Sequence, residues 1–130
     1  MSLDLFPPPA LGREAFASPR LAVVPIKGDA MAPTLRGDWD YVLAAPVKSF
    51  LYDSLYVVDF AGVPTVFRAQ GRGPLMISLI RDNERYGSTP AARSDDVPRE
   101  WFNEHVLGIV VCDLKVRDPD LMRKAWGGPA

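Results

Sequence analysis

Six short runs dominate the middle and end of this chain: LAVVPIK (21–27), DYVLAA (40–45), SLYVVDF (54–60), TVFRAQ (65–70), PLMISLI (74–80) and HVLGIVVCDLKV (105–116). Each is rich in Val, Ile, Tyr or Phe, and nearly all are bounded by Gly, Pro or Asp. Runs of this length suit strands, whereas a stable helix needs ten or more residues at a 3.6-residue period. Five or six strands with few helical periods and no internal repeat predict a mainly β domain of coiled, partly barrel-like antiparallel sheets.

The punctuation between the runs is equally specific. Ala61-Gly62-Val63-Pro64 suits a hairpin connection, and Gly71-Arg72-Gly73 makes a further turn. Met31 to Leu35 is long enough for one helical turn. The polar stretch DNERYGSTPAARSDDVPR (82–99) reads as a long loop, and PDLMRKAW (119–126) as a terminal helical turn with Trp126 as a packing anchor. Residues 1–20 hold three consecutive prolines and read as an extended arm or linker, leaving 21–130 as the domain.

With 130 residues, one hydrophobic core is expected. The 15 basic and 16 acidic residues nearly cancel, so no field of one sign draws this segment to nucleic acid or to an anionic membrane. A single cysteine, Cys112, excludes an internal disulfide and fits a reducing compartment; its apolar surroundings predict a buried side chain. One Cys and one His, His105, cannot supply the clustered ligands of a zinc site, and a surface or capping role is expected of His105. No metal or cofactor is expected. Neither an apolar stretch of membrane-spanning length nor a signal peptide is found, so the expected location is cytoplasmic.

The segment GDAMAPTLRGDWD (28–40) carries the chemistry. Gly28 allows a tight turn, Pro33 fixes its own φ, and Gly37-Asp38 ends the turn before the next strand. Together, Gly28, Asp29, Met31, Pro33, Leu35, Gly37 and Asp38 resemble the nucleophile motif of the LexA/UmuD and lambda-repressor-type serine peptidases, with a looser likeness to type I signal peptidases. Three further elements follow in family order. These are Val66-Phe67-Arg68-Ala69, the run from Leu79 to Tyr86 that includes Asn83, and Val106-Leu107-Gly108-Ile109-Val110-Val111. The likeness covers roughly residues 21–117.

What the resemblance implies is a coiled β domain in which a serine attacks and a lysine acts as its base. Serine needs such a base at neutral pH, and a buried amine can lose its proton. Ala30 stands at the nucleophile position and Arg68 at the base position, some 38 residues apart as in the family. A methyl group cannot attack a carbonyl, and a guanidinium does not deprotonate in a protein. Both positions are therefore degenerate. Ser49, Ser54, Ser78 and Ser88 lie outside the motif, and Lys27 or Lys48 has no nucleophile to activate.

By the same resemblance the chain is the C-terminal dimerisation and regulatory domain of a LexA-like or phage-type transcriptional repressor. Such a protein forms a homodimer, contacts DNA only through an N-terminal helix-turn-helix domain that this segment lacks, and in some members is engaged by a RecA-like filament. The apolar last strand and the Trp101-Phe102 pair are candidates for the dimer surface. Two other readings stand beside this one: a self-cleaving Ser-Lys peptidase silenced by an engineered serine-to-alanine change, and a pseudo-peptidase that holds an extended peptide, its own arm included. The Ala-Gly or Cys-Gly bond that active members cut is absent from residues 1–29.

Turn capping is expected of Asp29, Asp38 and Asp40. The Gly71-Pro74 stretch is expected to be a hairpin turn and not a phosphate cradle. Arg68, Arg72, Arg81, Arg85 and Arg93 alternate with Asp82, Glu84, Asp95 and Asp96, which predicts a solvated face. Arg68 is expected to pair with Asp29 or another acid.

Overall fold

The computed structural model describes residues 21–126, so the arm assigned to residues 1–20 and the end of the 21–130 domain lie outside the described residues. Seven strands form one antiparallel sheet: β1 (Ala22–Pro25), β2 (Tyr41–Pro46), β3 (Ser54–Phe60), β4 (Val63–Arg72), β5 (Met76–Ile80), β6 (Ser94–Pro98) and β7 (Val106–Leu114). Their spatial order is β1-β2-β7-β3-β4-β5-β6. The mainly β expectation holds. The edge strands β1 and β6 stand at opposite ends of that order, so the sheet is open and not closed into a barrel.

Both faces of the sheet are covered. In β3, Tyr56 and Val58 face one core with Phe67 and Ala69 of β4, while Val57 faces the other with Val66. The first core is capped by the helix α1 (Arg99–His105), whose Phe102 is 0% exposed. The second is capped by the loop after β1, which contributes Ile26, Met31 and Leu35. Strands buried on both sides take apolar residues at successive positions, as Leu55 to Val58 do in β3.

Tyr56 is also a polar hub. Its hydroxyl donates to the Tyr52 carbonyl and accepts from the backbone N–H groups of Leu51 and Tyr52. Its ring packs edge-on against Phe102. One side chain thus fixes the turn that feeds β3 and anchors α1.

The hairpin between β3 and β4 is tighter than the expected four residues. Only Ala61 and Gly62 lie outside the strands, both with positive φ, 55° and 83°, while Phe60 pairs with Val63. Positive φ at both central residues suits the right-handed twist of the flanking strands. The Gly71-Pro74 stretch lies at the β4–β5 turn, with Gly73 at φ 72°, as expected of a hairpin.

Four expectations are corrected. The supposed loop 82–99 contains two short 3-10 turns (Glu84–Tyr86 and Ala91–Arg93) and the strand β6, which pairs with β5 through registers such as Ile77 to Val97. Its sequence, SDDVP, has little β character; backbone pairing to an existing edge supplies what the side chains do not. His105 belongs to α1 and not to the last strand; its ring stacks on Trp101 at 4.1 Å and its Nδ1 donates to the Trp101 carbonyl. Cys112 is exposed. Its half of β7 extends beyond β3, which pairs with β7 only through Ile109. Phe102 cannot line a dimer surface, because it is the centre of the first core. The terminal helix α2 (Pro119–Trp126) forms as expected, with Trp126 edge-on to Tyr41 at 6.1 Å.

Candidate functional site

The two Gly-Asp pairs of the motif meet in space. A Cβ placed on Gly37 would lie 1.8 Å from the Gly28 carbonyl oxygen, inside any permitted contact. Gly28 itself has φ 75°, a conformation that L side chains resist. Backbone bonds from Asp38 N to Ile26 O (2.9 Å) and from Ile26 N to Asp40 O (3.0 Å) lock the neck of the loop. Inside it, Leu35 N donates to Met31 O at 2.9 Å and closes a turn, but the helical turn expected there does not form, since no helix lies between β1 and β2. Met31 and Leu35 point into the second core and hold the loop to the sheet. The peptide bond before Pro33 is cis.

Ala30 sits on the outward part of this loop. A cleft of about 230 Å³ opens beside it, walled by residues 25–28 and Met31 on one side and by residues 63–66 of β4 on the other. Lys27, exposed to solvent, borders the cleft. Arg68 follows the β4 wall by two residues and does not line the cleft.

Arg68 is bound elsewhere. Its Nε and one terminal nitrogen donate to the two carboxylate oxygens of Asp82 at 2.8 and 2.7 Å, a bidentate pair. Thr34 of the motif loop donates to the same carboxylate at 2.6 Å. The Asp82 side chain is 12% exposed and that of Arg68 39%. Burial pushes the Asp82 carboxyl up, but the bonds from Arg68 and Thr34 and the charges of Arg68 and Arg93 outweigh it and hold it below the ordinary value. The hydrogen bond to Asp82 in turn raises Arg68 further, so the guanidinium stays charged.

The segment after β5 clamps the other end of the loop. Asn83 donates from its backbone to Ala30 O at 3.0 Å and from its side chain to Asp29 O at 2.8 Å. The Asp29 carboxylate accepts from the Tyr86 hydroxyl at 2.6 Å and from Arg85 at 2.9 Å. The Tyr86 bond is the largest influence on Asp29; burial opposes it, Arg85 assists, and the carboxyl lies below its usual range. Three of the four motif segments identified in the sequence therefore converge on one locus, while the fourth, β7, lies inside the sheet.

Some expectations on individual residues change. Asp29 caps no turn and serves as the acceptor for Tyr86 and Arg85. Asp40 does act locally, accepting from Arg36 N at 2.7 Å. The Asp38 carboxylate makes no hydrogen bond among the described residues. Arg68 does pair with an acid, as expected, and of the alternatives that acid is Asp82 and not Asp29. Sequence reasoning missed Asp82 and Thr34 as partners, although the strand register contains the signal: Arg68 faces Ile80, two residues before Asp82.

The arrangement has no attacking oxygen at residue 30 and no amine at residue 68. Ser78, the buried serine nearest in sequence to these segments, is spent on Asp96. Among the described residues no group of His, Cys, Asp or Glu is placed to hold a metal ion, and no helix is long and apolar enough to cross a membrane. No protein-family model matches the chain, and no curated protein matches it.

Proposed function

We propose that this domain is the dimerisation and regulatory part of a LexA-like or phage-type transcriptional repressor, with a peptidase site that has lost its chemistry. The observation that carries the reading is the convergence just described: the Asp82–Tyr86 segment bonds both to the Gly28–Asp38 loop, which holds Ala30, and to Arg68, although Arg68 is ion-paired with Asp82 and does not line the Ala30 cleft. The full-length repressor would bind DNA in the cytoplasm through a separate helix-turn-helix domain. A two-fold dimer matches two half-sites, so joining two copies raises avidity without any new base contact.

The surface that suits a second copy is the C-terminal half of β7. Residues 112–114 pair with β2 on one side, while β3 stops short of them on the other. Val111 bulges out of the ladder there and is 54% exposed. An open strand edge with an apolar bulge accepts a second strand of the same kind. Sedimentation of the full chain at tens of micromolar tests this; a homodimer is expected, and a 14.3 kDa monomer ends the reading.

The bidentate Arg68–Asp82 pair favours natural degeneration over an engineered knock-out, since a single designed change would have left a lysine at position 68. Lys27 at the cleft is the observation on the other side. Ala30→Ser decides between them: the variant is expected to stay intact on incubation at alkaline pH, and cleavage products would show that Lys27 or another group serves as base. Peptide holding is a second reading, favoured by one feature. Residues 63–66 of β4 border the cleft and pair only with β3, because β5 begins its pairing at Arg68. An extended segment can add there by backbone hydrogen bonds.

A further inference from the structure

We propose that a second cavity, sharing residues 25–27 with the first, binds a small zwitterion: an α-amino acid with an apolar side chain. The cavity measures about 190 Å³ and lies between α2 and the start of β2, with Lys27, Asp38, Asp40, Tyr41, Arg123 and Trp126 on its walls beside the end of β1. That is below the ~300 Å³ at which drug-sized sites begin and suits a compact metabolite.

The charges on its walls divide into two kinds. Asp40 is held by Arg36, and Arg123 by Asp120 at 3.0 Å. Lys27 and Asp38 are both exposed; among the described residues neither forms an ion pair, and they do not pair with each other across the cavity they share. Asp38 also adopts φ 66°. Aspartate tolerates that left-handed region chiefly because its side chain can bond locally, and here the carboxylate forms no such bond. A backbone in a sparsely populated conformation that presents an unused carboxylate to a cavity points to a ligand.

Two opposite charges kept apart on the walls match a molecule that carries both. Its ammonium group would meet Asp38 and its carboxylate Lys27. The apolar side chain would rest against Pro25, Ile26 and the Tyr41–Trp126 pair. Exposed ion pairs alone bind weakly, so the apolar contact with Tyr41 and Trp126 would have to supply much of the affinity. Residues 25–27 border this cavity and the Ala30 cleft alike, so occupancy would be felt at the motif loop. The proposal does not depend on the repressor reading.

The test is a titration of the isotopically labelled full chain, followed by amide and indole NMR signals, with glycine, L-valine and L-leucine up to ~10 mM. Two single-charge analogues of leucine, isocaproate and isoamylamine, serve as comparisons. Saturable shifts of Lys27, Asp38, Tyr41 and the Trp126 indole are expected with L-leucine or L-valine, with each analogue at least ~10-fold weaker, a difference of one decade in Kd. Asp38→Asn, which keeps a residue that tolerates positive φ, and Lys27→Met should each weaken binding at least ~10-fold while the rest of the spectrum stays in place. Trp126→Ala should reduce leucine to the level of glycine. The proposal is overturned by any of three results: no saturable shift with the three amino acids, isocaproate or isoamylamine binding as well as leucine, or both charge variants binding unchanged.

Discussion

At the scale of single residues, the motif loop is shaped by what its positions lack. Gly37 has no Cβ because the Gly28 carbonyl occupies that place, and Ala30 has no oxygen. Gly37→Ala forces the neck of the loop apart and is expected to destabilise the fold by about 2–3 kcal/mol, read as a lower urea midpoint with an unchanged slope. Removing a partner from the Arg68–Asp82 pair acts differently. Asp82→Ala leaves a half-buried guanidinium and the Thr34 hydroxyl without their acceptor, at a cost of roughly 1–2 kcal/mol, between the values for exposed and buried pairs.

The same carboxylates set the response to acid. Asp29 and Asp82 are both held below their usual values in the folded state. A depressed carboxyl contributes stability that is present above its unfolded value near ~3.9 and lost as pH falls through the folded value. Thermal midpoints should therefore decline below about pH 4, and Asp82→Asn should flatten that decline while lowering the midpoint at neutral pH.

At the scale of elements, the strands that the sequence announces are those whose side chains face a core. β3 and β5 follow the expected runs closely, and the helical turn at Pro119–Trp126 coincides with its prediction. β6 and α1 were illegible for a common reason. β6 carries Ser, Asp, Asp and Pro in five residues and exists because β5 presents an open edge; α1 is seven residues long, too short to display a period, and is held by Phe102 in the core. Tyr56 shows how much one strand residue can fix outside its strand. Tyr56→Phe keeps the ring packing but strips three hydrogen bonds from the turn before β3, and a loss of about 1–2 kcal/mol is expected from denaturant unfolding.

At the scale of the whole molecule, β7 is the strand on which the two parts of the sheet join. It pairs with β2 and with β3, and each pairing contains a register shift that turns one apolar residue outward, Val111 and Leu107 respectively. Bulges of this kind re-aim side chains away from the ladder. If copies associate through the free half of β7, Val111→Asp should convert the dimer to monomer in sedimentation while leaving the thermal midpoint of the isolated fold within about 0.5 kcal/mol, as for a surface substitution.

The amino-acid sequence by itself determined the mainly β class, the turns, and the absence of an attacking oxygen and a titratable amine at Ala30 and Arg68. These follow from residue type and from preferences that act over a few neighbouring positions. Tertiary structure alone decided that Asp82 and not Asp29 receives Arg68, that Lys27 borders the Ala30 cleft, that Cys112 faces outward and that β6 is a strand. Each of those depends on which segments separated by tens of residues are brought side by side, and that is set by strand register and by the path of the loop across the sheet, neither of which a local preference encodes.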